Sequence, residues 1–280
     1  MVRWSGVPMG PVAAQWALLG ALLWVVLPGA REASGAAMVF AVLAAAVATS
    51  CATAGWVLLA QALARHGRQG LGPADHVTVT RGTLACVVAA LTARSVLDPV
   101  AHGSSGSTAG RALVLVAALA LALDAVDGWV ARRTGTASSL GARFDMEVDA
   151  FLILVLSLAA ARVLGGWVLA IGLFRYVFMV AARVVPWLGG SVPPRLWRKA
   201  VAALQGIALT LATAEVLPRP LAGAVVGLAL LLLLWSFGTQ GLQLWWARTP
   251  PVPRSEAAVA VPPTTVGLGI GPGHQARAVR

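Results

Sequence analysis

The chain has 280 residues, 59% of them hydrophobic and 11% charged, with 30 Gly and 16 Pro. Soluble domains carry about a quarter charged residues, so this composition excludes an ordinary water-soluble domain, and with it a disordered chain, a collagen-like repeat, a coiled coil and a small disulfide scaffold. The 21 basic and 10 acidic residues give a net charge of +11, which in so apolar a chain points to positive loops and anionic lipid headgroups. Nucleic acid is excluded as a partner, since no aromatic–basic motif supports it.

What remains is an all-α integral membrane protein. A helix needs about 20 apolar residues to cross ~30 Å of hydrocarbon. Runs of that kind lie near 12–28, 36–63, 82–101, 112–132, 145–165, 167–187, 199–217 and 220–247. The first is not a removable leader, because Gly29-Ala30-Arg31-Glu32 turns it straight into a second long span. The expected organisation is two transmembrane helices in 1–64, a polar cytoplasmic connector in 65–81 (His66, Arg68, Asp75, His76), six further helices in 82–247, and a disordered cytoplasmic tail in 248–280. Cys51 and Cys86 lie in apolar stretches and read as small buried hydrophobes.

The basic residues assign sidedness. With the N-terminus in the cytoplasm, four basic residues fall outside (Arg31, Arg111, Arg162, Arg219) and three within spans (Arg94, Arg175, Arg183), leaving 14 of the 21 in cytoplasmic segments. The positive-inside rule then places both termini in the cytoplasm. Trp4, Trp167, Trp187, Trp197, Trp245 and Trp246 sit near span ends, as an interfacial aromatic belt does.

Five of the ten acidic residues crowd between positions 124 and 149: Asp124, Asp127, Asp145, Glu147 and Asp149. Asp124, Asp127, Gly128 and Ala131 form one stripe (i, i+3, i+4, i+7) in the last turns of the fourth span. Gly141, Asp145 and Asp149 form another (i, i+4, i+8) where the fifth span opens. A short connection makes the two helices antiparallel neighbours, so two carboxylate pairs face each other at the cytoplasmic interface. Four partly shielded carboxylates repel unless some protonate or a cation neutralises them, and a nearby helix C-terminus adds to the demand. Hard oxygen ligands with no His or Cys beside them select Mg²⁺, Mn²⁺ or Ca²⁺. Four such ligands fit two divalent ions, an arrangement suited to displacement at phosphorus. The alternative is an ion-pair network with Arg132, Arg133 and Arg143. Gly128 and Ala131 clear space beside Asp127, and Arg132 can offer a guanidinium fork to phosphate oxygens.

Written out, DAVDGWVARRTGTASSLGARFDMEVD satisfies Asp-x2-Asp-Gly-x2-Ala-Arg-x8-Gly-x3-Asp-x3-Asp without departure, which resembles the signature of the CDP-alcohol phosphatidyltransferase family. The resemblance extends over roughly 73–247, and Thr78-Val79-Thr80-Arg81 looks like the Thr-x2-Arg at the start of that family's first core helix. It implies a six-helix core preceded by two additional transmembrane helices. It also implies two Mg²⁺ or Mn²⁺ ions on Asp124, Asp127, Asp145 and Asp149, with Asp149 as the base for the acceptor hydroxyl. Gly128, Ala131, Arg132 and Gly141 match the positions that hold the CDP moiety. The implied reaction transfers a phosphatidyl group from a CDP-linked lipid, typically CDP-diacylglycerol, to a small alcohol and releases CMP. The implied setting is a multi-pass protein of the plasma membrane with its site facing the cytoplasm, and family members are commonly homodimers.

Acceptor recognition falls to the basic residues of spans six and seven and the loop between them: Arg175, Arg183, Arg195, Arg198 and Lys199. An Arg within a span faces a polar cavity or snorkels to lipid phosphate. A basic pocket suits glycerol 3-phosphate or inositol phosphate, although two features depart from the glycerophosphate-type pattern. Arg195–Gln205 lacks a Lys-x-Lys-Thr, and Ala150 follows Asp149. Glu147 lies off the carboxylate stripe and takes no role. A cation- or proton-coupled transporter would spread its acids over several helices at mid-depth, and a membrane prenyltransferase would carry its Asp pairs on well-separated helices.

Overall fold

The computed structural model describes residues 9–26, 35–65, 73–97, 108–134, 139–189 and 196–247. Every regular element among them is helical: α1 (Met9–Val26), α2 (Ala36–Arg65), α3 (Pro73–Leu97), α4 (Thr108–Thr134), α5 (Ser139–Leu164), α6 (Leu169–Val184), α7 (Leu196–Thr213) and α8 (Arg219–Ala247). Two 3-10 turns, Gly166–Val168 and Pro186–Gly189, flank α6. The tail 248–280 and the turn at Gly29–Glu32 lie outside the described residues.

Eight spans were expected, and among the described residues five helical stretches are long and apolar enough to cross a bilayer: Met38–Gln61, Asp75–Leu97, Thr108–Val126, Gly166–Val184 and Arg219–Trp246. The chain is a membrane protein. The other three helices fall short for physical reasons. Only Val12–Trp24 of α1 and Ala200–Thr213 of α7 are continuously apolar, and α5 carries Arg143, Asp145, Glu147 and Asp149 in its first three turns.

Two helices start well before the expected spans, α5 at Ser139 against 145 and, further off, α3. α3 begins at Pro73, not at 82, so the second half of the stretch read as a connector is helical. Proline suits the first helical position because its missing N–H has no partner there, and Asp75 in the first turn complements the positive end of the dipole.

α3 is also the hub of the bundle. It packs against α1, α2, α4 and α5, and every residue from Thr83 to Thr92 is buried. A helix buried on all sides sits inside a protein rather than against lipid. Between apolar helices in a membrane, association depends on close van der Waals packing, which small residues permit. The core accordingly runs through Ala44 and Ala48 of α2, Ala85 and Ala89 of α3, Ala117 and Ala120 of α4, Ala159 and Ala160 of α5, and Ala208 and Ala212 of α7. Two glycines set the closest crossings. A Cβ on Gly172 of α6 would lie 2.7 Å from the Leu154 Cα of α5, and one on Gly206 of α7 would lie 2.5 Å from Leu121 Cδ2 of α4. Large apolar side chains face outward, among them Leu115, Val177, Leu231 and Leu242.

The turn from α5 to α6 is tight. Gly165 adopts φ +99°, its N–H donates to Ala161 O at 2.8 Å, and the Trp167 indole N–H donates to Leu164 O at 2.9 Å. Glycine reaches that conformation without a Cβ penalty, and the two donors satisfy carbonyls that the helix end would leave open. With helices alternating in direction, the start of α3, the end of α4 and the start of α5 meet at one end of the bundle.

Candidate active site

Three aspartates converge at that end. Asp124 comes from α4 and Asp145 and Asp149 from α5, and one carboxylate oxygen of each lies within 4.8 Å of the other two. The α5 pair shares a face because its spacing is one helical turn. Side-chain exposures of 43% for Asp124, 34% for Asp145 and 41% for Asp149 leave the cluster open on one side.

The other side is closed by Arg81 of α3, which is 1% exposed. Its Nη1 donates to Asp145 and reaches Asp124 Oδ1 at 3.0 Å, while its Nη2 donates to Asp149. A planar guanidinium presents its donors as a rigid fork, so one side chain can tie carboxylates from two helices to a third. The positive charge that the carboxylates demand is thus supplied here by a residue outside the signature. Of the ion-pair partners offered on sequence grounds, Arg133 and Arg143 are solvent-exposed, and the side chain of Arg132 lies outside the described residues.

One part of the electrostatic expectation needs correction. α4 continues to Thr134, so Asp124 lies ten residues from its C-terminus. The macrodipole effect fades within the last turn, so the helix end adds little to the field at Asp124. The demand for a cation comes from the mutual repulsion of the carboxylates themselves.

Asp127, Gly128, Ala131 and Arg132 lie on the helical backbone of α4, but their side-chain placement is outside the described residues. Gly141 lies one turn ahead of Asp145 on α5. Of the basic residues considered for the acceptor, Arg195 is outside the described residues, and Arg198 and Lys199 are described only as backbone in the first turn of α7. Arg175 of α6 donates from Nη2 to Glu147 Oε1 at 2.8 Å, which gives the unassigned Glu147 a partner. Arg183, in the last turn of α6, lines a separate cavity beside α2.

Arg81, Thr78 and Asp75 were not among the site residues read from the sequence, yet all three are buried at i, i+3, i+6 on α3. The Thr-x2-Arg spacing was the available signal. Hydropathy placed it in a cytoplasmic connector.

A family model described as CDP-alcohol phosphatidyltransferase matches residues 72–237, more than half of the 280-residue chain. The chain belongs to the CDP-alcohol phosphatidyltransferase family. Comparison with curated proteins and with solved structures finds no match. The family match opens beside Pro73 and closes within α8, so the membership covers α3 to α7 and most of α8 and leaves α1 and α2 outside. It gives the chain the general activity of its family, transfer of a substituted phosphate from a CDP-alcohol to a second alcohol within a membrane.

The family is generally dependent on divalent metal, and the residues present fit such an ion. Three hard oxygen donors converge within one ion's reach, and no Cys or His takes part in the cluster. That they already enclose a guanidinium is further evidence that the site is built for positive charge.

Proposed function

We propose that the chain transfers a phosphatidyl group from CDP-diacylglycerol to the hydroxyl of a phosphorylated alcohol, such as glycerol 3-phosphate or inositol phosphate, and releases CMP in phospholipid synthesis. The observation that carries this reading is the convergence of Asp124, Asp145 and Asp149 from two helices upon one point at the end of the bundle. Asp127, from the same signature, completes the set for two Mg²⁺ or Mn²⁺ ions. When bound, the ions would neutralise charge on the diphosphate and favour departure of CMP.

The remaining steps belong to the chain's own residues. Asp149 accepts from Arg81 through one carboxylate oxygen, which leaves the second for the acceptor hydroxyl. Taking that proton, it frees the oxygen to attack the lipid-linked phosphorus, and the bond from this phosphorus to the bridging oxygen of CMP breaks. Gly128, Ala131, Arg132 and Gly141 hold the CDP moiety. Glu147 orients Arg175 toward an anionic acceptor, with Arg195, Arg198 and Lys199 on the adjoining loop and helix. The active site faces the cytoplasm across the plasma membrane, and the chain works as a homodimer.

The test is CMP release in detergent from CDP-diacylglycerol with Mg²⁺ or Mn²⁺ and a panel of alcohol acceptors. CMP should appear only with metal and acceptor together, and Asp149→Asn should abolish it. Wild-type turnover in that variant would refute the assigned role.

A further inference from the structure

A half-open cavity of about 700 Å³ lies between α2 and the adjoining faces of α3, α5 and α6, with Gln15 of α1 also lining it. That is within the range of about 300–1,000 Å³ usual for ligand sites. It is not the back of the aspartate cluster. On α3 its lining residues are Val79, Gly82, Thr83 and Cys86, spaced i, i+3, i+4, i+7. At 3.6 residues per turn Arg81 lies roughly 150° round the helix from the middle of that stripe. Gly82 and Val148 come together where α3 meets α5, a Cβ at Gly82 lying 3.5 Å from Val148 Cγ2. The far wall, with Gly55 and Trp56, is α2, which lies outside the family match.

The cavity is graded along its length. Arg143, in the second turn of α5, and Arg183, in the last turn of α6, line it at the end of the bundle that also carries the aspartates. Among the described residues neither makes an ion pair. Glu147 lies beside them, but its charge is matched by Arg175. Phe151, eight residues beyond Arg143 on α5, lines the cavity about 12 Å deeper. Cys86 and Met179 continue the apolar lining.

Gln15, Gln61, Thr83 and Tyr176 also line it, but most of its wall is apolar, with Leu58, Leu59, Val148 and Phe151 among the lining side chains. The apolar fluid available to a membrane protein is lipid hydrocarbon, and an interfacial pair of guanidiniums selects phosphate. We infer that this cavity binds one hydrocarbon chain of a phospholipid whose phosphate pairs with Arg143 and Arg183.

Two sources share that chemistry, a phospholipid of the bilayer and the CDP-linked donor. The full chain, stripped of lipid in a mild neutral detergent, is titrated with dioleoylphosphatidylglycerol or dioleoylphosphatidylcholine and weighed by native mass spectrometry. Wild type should hold a phosphatidylglycerol molecule that Gly55→Trp loses, since a side chain at Gly55 enters open space, with no atom within 4 Å of its Cβ. Gly55→Ala should keep the lipid. Arg143→Ala combined with Arg183→Ala should abolish the preference for phosphatidylglycerol over phosphatidylcholine. If Gly55→Trp fails to fold, Ala52→Phe places bulk from the same wall. Added CDP-diacylglycerol that displaces the bound lipid assigns the cavity to the donor, and lipid that persists beside it assigns a resident phospholipid. Wild type without bound lipid, or folded filled-cavity variants that bind as much as wild type, would overturn the inference. The readout is bound mass, so it stands or falls apart from the proposed transfer reaction.

Discussion

Arg81 offers a direct measure of how strongly the aspartate cluster requires positive charge. Arg81→Gln removes the cation and keeps a hydrogen-bonding side chain of similar reach. Breaking a buried ion pair by deleting one partner costs about 3–5 kcal/mol. Here the guanidinium is buried while Asp124, Asp145 and Asp149 keep 34–43% of their side-chain surface exposed. Water therefore recovers part of the cost, and about 2 kcal/mol is the expected loss in metal-free buffer. At roughly 2–4 °C per kcal/mol for a chain of this size, Tm should fall by about 4–8 °C. The 11 Trp make intrinsic fluorescence a suitable probe of melting in detergent. Saturating Mn²⁺ should narrow the gap between variant and wild type to about 2 °C or less, because an ion that binds the folded state stabilises it by mass action and neutralises the same carboxylates. Equal upward shifts in both proteins would refute the reasoning, since Arg81 and the ions would then not share ligands.

Asp149→Asn should lower CMP release by about 10²–10⁴-fold, the range for loss of a positioned proton acceptor, and should lower Tm by less than Arg81→Gln does, because the amide oxygen still accepts from Arg81 and Asp124 and Asp145 still pair with it. Chelation with EDTA should abolish CMP release, and added Mn²⁺ or Mg²⁺ should restore it; a chelated enzyme that still turns over would exclude metal dependence. Gly172→Ala should destabilise by about 1–3 kcal/mol, because the new methyl meets the Leu154 backbone at 2.7 Å, whereas Gly223→Ala, with nothing within 4 Å, should melt like wild type. Glu147→Gln should change stability by less than about 1 kcal/mol, its pair with Arg175 being part exposed. If Glu147 orients Arg175 toward the acceptor, the same variant raises acceptor KM and leaves donor KM unchanged, and a uniform fall in kcat would count against that role.

What could be read from the sequence depended on whether the signal was local. The aspartate stripes are local: a 3.6-residue period places Asp145 and Asp149 on one face whatever surrounds them, and the short link from α4 to α5 brings Asp124 alongside. Asp124, Asp145 and Asp149 do converge, while the side chain of Asp127, the fourth expected member, lies outside the described residues. The start of α3 was missed because Asp75, His76, Thr78 and Thr80 make the stretch polar, and hydropathy registers composition without knowing what will cover it. Pro73 and Asp75 are helix-start signals that a reading by hydropathy does not register. The role of Arg81 depends on pairs 64 and 68 residues apart in the chain, a separation at which no local period operates. The cavity beside α2 likewise exists only once four helices have packed.

The central place of α3 explains why an arginine can lie so deep in a membrane protein. A charged side chain facing hydrocarbon is costly, and the usual remedy is to snorkel toward the interface. Arg81 does not need that remedy, because 72% of the apolar window of α3 is buried within the bundle, against 17–28% for the other candidate spans. α4 and α5 cover one side of α3 and bring the three carboxylates. α1 and α2 cover another, where the Gln15 amide meets the Thr83 hydroxyl at 2.6 Å and Leu59 and Leu63 pack on Val79. The N-terminal pair therefore does more than lengthen the protein. It shields a polar stretch of α3 from lipid and leaves, between α2 and α5, a cavity with a basic mouth. Their contribution is to the surroundings of the cluster, whose converging side chains, Arg81, Asp124, Asp145 and Asp149, come from α3, α4 and α5.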